Sequence, residues 1–315
     1  MWKKHPKALP FLFFSEMWER FGFYLILGIF TLYLKDATAG FGMDEKESAS
    51  LYGTFIALIY FTPFLGGLIA DRKIGYKTSI IIGGLLMGIG YCLMAIHTIP
   101  MLYTAMALII LGNGFFKPNI STLLGNVYST PEYKDKKDEG YNIFYMGINI
   151  GAFVCNFFGA ALYTMIGWGA AFIAAGIGMF IGVIVFLVGL KYYKQFDVRK
   201  PLKPGDISLW KIFMMVILPC IIFGAIGYFI KGTEGYIFDS NSTDAFIFAC
   251  IPVIVFFAAI LIRSPKEEKP QLAALLSIFA VVVLFWAIFK QNGSALNTWA
   301  SRYTERHVDG VGGSI

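Results

Sequence analysis

Apolar residues in this chain come in long runs, with charge confined to short stretches between them. A membrane-crossing helix needs about 20 consecutive apolar residues. Runs of that length occur nine times, at about 10–34, 48–70, 77–97, 101–124, 141–163, 167–190, 208–230, 243–263 and 270–292. The pattern predicts nine transmembrane helices with short connections, except at 35–47, 125–140, 191–207 and 231–242. Glycine clusters inside the runs, as in GGLLMGIG at 83–90, GINIG at 147–151 and Gly176, Gly178 and Gly182. Small residues at such spacing let membrane helices approach closely, so a compact bundle is expected.

Composition supports that picture. Charged residues make up 15% of the 315-residue chain, against about 25% in soluble domains. Mean hydropathy is +0.66. The net charge of +6 is not read as a nucleic-acid signal, because the cations sort by loop. Lys3, Lys4 and Lys7, then Arg72, Lys73 and Lys77, Lys134, Lys136 and Lys137, Lys191 to Lys203, and Arg263, Lys266 and Lys269 fall on alternate connections. The others are neutral or acidic. That asymmetry predicts a cytoplasmic N-terminus in an inner, cytoplasmic membrane. MWKKHPK is basic, but the run after it holds charges and no small-residue cleavage site, so no cleavable signal is read. Cys92, Cys155, Cys220 and Cys250 lie apart in apolar runs and read as core residues, with no metal or disulfide framework. His5, His97 and His307 lie in flanks or loops, and no nucleophile elbow or phosphate loop is present, so no enzyme and no cofactor are expected.

One stretch breaks the apolar rule. SEMWERFGFY, residues 15–24, carries Glu16, Glu19 and Arg20 inside the first span. Each such charge costs roughly 2.5–3.5 kcal/mol at a helix centre on insertion scales. At 1.5 Å per residue, Glu16 lies roughly 9 Å deep and Glu19 and Arg20 roughly 14–15 Å. Lys117 comes out about 6 Å, and Asn149 and Tyr60 about 12 Å, from the same boundary. Polar groups of four spans therefore share one slab, which predicts a common cavity. Glu16, Glu19 and Arg20 also share a helix face, extended by Phe23, Tyr24 and Leu27. Read structurally, Glu16 and Arg20 form an i,i+4 pair that leaves Glu19 unpaired. Read functionally, the three are a proton-responsive cluster, since intramembrane charges mark ion pathways and proton relays. FFKPN at 115–119 places Lys117 beside Pro118, either as a snorkelling lysine at a kink or as part of a cavity wall. GGLIADRKIGYKT, 66–78, reads as a basic loop between spans two and three.

Together these motifs resemble the proton-dependent oligopeptide transporters of the major facilitator superfamily. GGLIADRKIGYKT looks like the superfamily signature, and SEMWERFGFY like the family's E-x-x-E-R-F-x-Y-Y motif. FFKPNIS, FYMGINIGAF and FWAIFKQNGS are similar to its helix-four, helix-five and helix-seven signatures. The resemblance implies an all-α integral membrane protein with a six-helix N-terminal bundle (1–195). A linker and inserted two-helix hairpin (196–269) and helix seven with an outer tail (270–315) would follow. It implies proton-coupled symport of di- and tripeptides, with protons as coupling ion and the bilayer and a small peptide as partners. Glu16, Glu19, Arg20 and Lys117 would couple protons. Arg20, Tyr24, Tyr60, Lys117, Asn149, Trp286 and Gln291 would bind substrate, and Asp71, Arg72 and Lys290 would serve the gates.

The chain departs from the family pattern at Phe23, which lacks the first tyrosine's hydroxyl, and at Leu27 and Lys290. The last two replace residues whose ion pair commonly closes the outer gate. Lys290 is then either a substitute cation for a substrate carboxylate or a residue snorkelling to the outer surface. Helices eight to twelve have no counterpart, so the resemblance implies the N-terminal part of a transporter, truncated after helix seven. A non-transporting remnant, half of a split transporter awaiting its C-terminal half, and carriage of another carboxylate-bearing solute stay open.

Overall fold

The computed structural model describes residues 2–198, 208–230, 240–289 and 295–303. Every regular element among them is helical. Six long helices come first: α1 (Ala8–Lys35), α2 (Glu45–Ile69), α3 (Tyr76–Leu93), α4 (Ile99–Tyr128), α5 (Lys137–Met165) and α6 (Trp168–Tyr193). After them, α7 (Leu209–Ile212) and α8 (Leu218–Phe229) form one rod, followed by α9 (Asn241–Arg263), α10 (Lys269–Phe289) and α11 (Ala295–Tyr303). Eight helical stretches among the described residues are long and apolar enough to cross a bilayer. α1 stands apart from those eight by its charge, although its 28 residues would span about 42 Å. The chain is a multi-pass membrane protein.

Local chemistry sets the helix ends. Asp44 caps α2 by accepting a hydrogen bond from the Glu47 amide at 2.7 Å, and Ser240 caps α9 through the Thr243 amide. Such caps satisfy amide donors that the first turn leaves open. The basic loop expected at 66–78 is mostly helix. α2 runs on through a π-helical turn, Ala70–Ile74, and only Gly75, at φ 83°, breaks it. The physical reason is that a single residue in the left-handed region reverses the chain, so no longer loop is needed. A second π-turn, Phe213–Ile217, joins α7 to α8 just before Pro219. It absorbs the hydrogen bond that proline cannot donate.

Glycines let the six helices close up. α1 packs between α5 and α6, and α4 between α2 and α3. A Cβ on Gly83 would lie 2.6 Å from the Gly112 carbonyl, and one on Gly66 would overlap the Gly114 carbonyl. That second carbonyl is the one Pro118 frees by lacking an amide hydrogen four residues on. Asn113 donates from Nδ2 to the Ile59 carbonyl at 2.9 Å, and Thr62 from Oγ1 to that of Ile110 at 2.8 Å, stitching α2 to α4.

The hairpin α8–α9 lies beside α2. The Ser50 and Ser240 hydroxyls meet at 3.0 Å, and an apolar cavity of about 390 Å³ opens between Leu58, Ile221, Phe246 and Cys250. α10 packs on α9, and none of its most apolar 18 residues is buried. Arg302 of α11 pairs with Glu45 at the start of α2 at 2.6 Å. Both side chains are half exposed, so the pair is worth about 0–1 kcal/mol.

Polar ties close both ends of the bundle. At the end carrying the N-terminus, His5 Nδ1 and the Tyr128 hydroxyl are 2.7 Å apart. The Asp197 carboxylate, just after α6, accepts from the Tyr76 amide at 2.6 Å and the Lys77 amide at 3.2 Å. It thus caps α3 from a distant part of the chain. Asp197→Ala should cost about 1 kcal/mol, the usual value of a lost cap. The loss should read as a lower Tm in detergent and faster proteolysis at Arg72–Lys77.

At the opposite end, Asp36 accepts from Trp168 Nε1 (2.8 Å), the Thr38 hydroxyl (2.7 Å) and the Thr38 and Ala39 amides. These donors, Trp168 first, hold its carboxyl below the usual carboxylate range. Its stabilising contribution is therefore complete above about pH 4 and lost only as pH falls towards the lowered value.

Candidate functional site

Three charges in the middle of α1 are among the most buried side chains of the bundle. Glu16, Glu19 and Arg20 expose 2%, 0% and 3% of their surface. Bare charges are not tolerated at that depth, so the arrangement must compensate them. Arg20 does so for both neighbours. Its Nη2 donates to Glu19 Oε1 at 2.6 Å and its Nε to Glu19 Oε2, while Glu16 Oε1 lies 3.3 Å from Nε. This corrects the structural reading, in which Glu19 was left alone. The adjacent Glu19 takes the Nε–Nη2 fork in a two-point contact. Glu16 keeps the weaker contact, and its Oε2 is buried with no hydrogen-bond partner.

The cluster is furnished from several helices. The Arg20 guanidinium lies 4.7 Å from the centre of the Phe23 ring, a cation–π contact that needs no hydroxyl. The phenyl ring at position 23 therefore offers its face to the cation without a hydroxyl. Lys117 Nζ of α4 sits 4.8 Å from the centre of the Tyr60 ring of α2 and within electrostatic reach of Glu16. Tyr24, half-buried, is within reach of Arg20, Glu19, Tyr60 and Tyr145. Six of the residues singled out in the sequence, Glu16, Glu19, Arg20, Tyr24, Tyr60 and Lys117, thus gather at one place.

The remaining candidates lie outside this cluster. Asn149 is exposed on α5 and donates to its own helix at the Tyr145 carbonyl, 3.1 Å away. Asp71 and Arg72 occupy the π-turn at the N-terminal end of the bundle, where Asp71 faces Tyr76. Leu27 is buried in the core. Trp286 lies on α10 against Phe285 and Phe289, on the helix that packs against α9. Lys290 and Gln291 lie outside the described residues.

Sequence reasoning missed a polar stripe. Asn142, Tyr145, Asn149 and Asn156 recur along α5 at helical spacing, all exposed, with Tyr145 at 61%. Asn156 comes close to Gly28 of α1, where a Cβ would lie 3.8 Å from its Oδ1. The 3–4–7 spacing was the available signal. It was hidden because Phe153, Phe157 and Phe158 interleave with it. Tyr145 of this exposed stripe lies within reach of Tyr24, which is itself within reach of Tyr60, Arg20 and Glu19, so the stripe forms a polar wall beside the buried charges there. Such a wall can hold a small solute with both polar and charged ends. No group of metal ligands occurs among the described residues.

Comparison with known proteins places these features in context. A sequence profile of the POT family (PTR2) matches residues 77–312. The di-/tripeptide transporter of Lactococcus lactis subsp. lactis is 29% identical over 304 residues, covering 93% of this chain and 61% of that protein. Dipeptide and tripeptide permease A of Klebsiella pneumoniae is 31% identical over 312 residues, covering 98% and 59%. A crystal structure of the peptide transporter POT in complex with sulfate superposes over the whole chain and 65% of its own. Its TM-score is 0.81 at 30% identity. A POT family transporter in complex with 5-aminolevulinic acid gives 0.82 at 26% identity, over 66% of its own chain. The chain therefore spans about three fifths of the length of the curated relatives it matches.

Proposed function

The chain belongs to the POT family, and from that premise we propose that its helices form the proton-coupling part of a symporter of small peptides. The observation that carries the reading is the buried triad, in which one guanidinium serves two carboxylates and one carboxylate oxygen has no partner. Arg20 is shared by both carboxylates and Lys117, within electrostatic reach of Glu16, supplies the second positive charge, so a substrate carboxylate that engages either cation leaves one negative charge for a proton to cancel. The names of the relatives, di- and tripeptide transporters, support a peptide as substrate. So does the solved family transporter bound to a thioalcohol-conjugated peptide.

In this reading Arg20 and Lys117 attract the peptide carboxylate, and Tyr24, Tyr60 and Asn149 line its path. When the peptide draws Arg20 away, Glu19 or Glu16 loses its counter-ion and takes a proton. Substrate binding and proton uptake then become one linked event, as symport requires. Residues 1–195 would be one rocking bundle, 196–269 a linker and inserted hairpin, and 270–315 the start of the facing bundle. Asp71 and Arg72 would work the gate at the basic, cytoplasmic end, with the N-terminus inside and the protein in the inner membrane. Trp286, Gln291 and Lys290 would belong to the facing wall. Protons are the only coupling agent the mechanism uses.

The test is uptake of labelled dialanine by the complete polypeptide in proteoliposomes under an imposed proton gradient. Glu19→Gln should remove the gradient's enhancement, a loss of about 5–150-fold for a coupling of ordinary size. Counterflow, which moves no net proton, should fall far less. Equal gradient-driven uptake by wild type and variant would sink the coupling role.

A further inference from the structure

A second buried polar atom, within electrostatic reach of the triad, has no partner, and it belongs to a residue that the proposed mechanism does not use. Tyr91 lies near the end of α3, fully buried, and its hydroxyl has no hydrogen-bond partner. Its ring reaches α1 at Gly22, where a Cβ would lie 3.0 Å from Tyr91 Cε2 and 3.1 Å from the Ala175 carbonyl. Gly22 is one turn beyond Glu19, and Tyr91 is within electrostatic reach of both Glu19 and Arg20. Glycine in mid-helix weakens the helix, and here its missing side chain is the slot that admits the ring. Phenylalanine would fill that slot equally well, as it fills the neighbouring core at Phe23, Phe116 and Phe172. A buried phenol carries a cost that a phenyl does not, so its oxygen calls for a use.

We propose that Tyr91 is a positioning residue for Glu19, supplying the hydrogen bond that Glu19 takes up when Arg20 leaves it. The inference rests on the proton-coupled reading given above. A phenol suits this place because it can donate to a carboxylate and accept from a protonated carboxyl without losing its own proton. Glu19 then has a partner in both states, and the proton it gains from one side departs to the other with Tyr91 unchanged. The other ionisable groups facing this place are Glu16, Arg20 and Tyr24 on α1, Tyr60 on α2, Lys117 on α4 and Tyr145 on α5. α6 carries no ionisable residue between Trp168 and Leu190 and contributes glycine and apolar surface.

The test is Tyr91→Phe, with Gly22→Ala as a second variant that displaces the ring and keeps the hydroxyl. The first readout is the pH midpoint of the Glu19 carboxyl band in infrared difference spectra of the complete polypeptide in lipid, assigned with Glu19→Gln. Both variants should move that midpoint by about one pH unit. Gradient-driven dialanine uptake should fall several-fold more than counterflow does. An unmoved midpoint in Tyr91→Phe, or an equal fall in both transport modes with a lower Tm, would overturn the proposal. If the wild type carries no peptide at all, the functional reading fails, while the infrared midpoint still judges Tyr91.

Discussion

Arg20→Met should destabilise the protein by about 3–5 kcal/mol, the usual cost of leaving one side of a buried ion pair alone. Two carboxylates, both almost wholly buried, lose their shared counter-ion in that variant. Each must then be protonated or hydrated at depth, and neither is cheap in a bilayer. Peptide uptake should vanish as well, since the proposed carboxylate anchor and proton switch go with it. The measurement is thermal unfolding in detergent beside dialanine uptake. The triple variant Glu16→Gln, Glu19→Gln, Arg20→Met separates the two effects. Its neutral cluster should recover most of the Tm and none of the proton-driven uptake. Loss of stability in the triple variant equal to that in Arg20→Met would show that packing, not charge, holds the site.

Gly151→Ala should be nearly as damaging, although it adds one methyl group. A Cβ there overlaps the Met17 carbonyl and comes within 3.2 Å of Arg20 Cβ. Both are on α1, and the first is backbone that no rotamer change can move aside. α1 and α5 would have to part by about 1 Å to restore an ordinary contact of about 3.5 Å. Overpacking of this kind costs about 1–3 kcal/mol. It also shifts the polar stripe of α5 relative to the charges of α1, so transport should fall further than stability. The paired control is Gly53→Ala on α2, where nothing lies within 4 Å of the added Cβ. That change should leave Tm and uptake as they are.

The helices were legible because hydropathy is a local property. Each span is apolar along its own length, whatever it touches, and the observed ends fall within a few residues of those predicted. Where the reading slipped, the cause was a single residue acting through backbone geometry. Gly75 turns an expected loop into a continued helix, because one positive φ does the work of a longer connection. Depth counting also brought Lys117, Tyr60 and the α1 charges to one level, since a helix converts position into height at a constant rise.

Rotation and partnership are another matter. Depth says how high a residue stands and nothing about which neighbour it meets. So Glu19, unpaired in the i,i+4 reading, takes the guanidinium fork, and Glu16 keeps the free oxygen. Asn149, level with the triad, turns out to be one member of a stripe that also holds Asn142, Tyr145 and Asn156. Tyr91 and Asp197 carried no motif at all. Each acts on an element distant in sequence, through the slot at Gly22 and the open amides of α3. By itself the sequence determined that this protein crosses the membrane repeatedly and carries charge where lipid would forbid it, because hydropathy and helical rise are written residue by residue. Only the tertiary structure decided which carboxylate holds the arginine and which tyrosine ring packs into the slot at Gly22, because those choices depend on how close two helices can come.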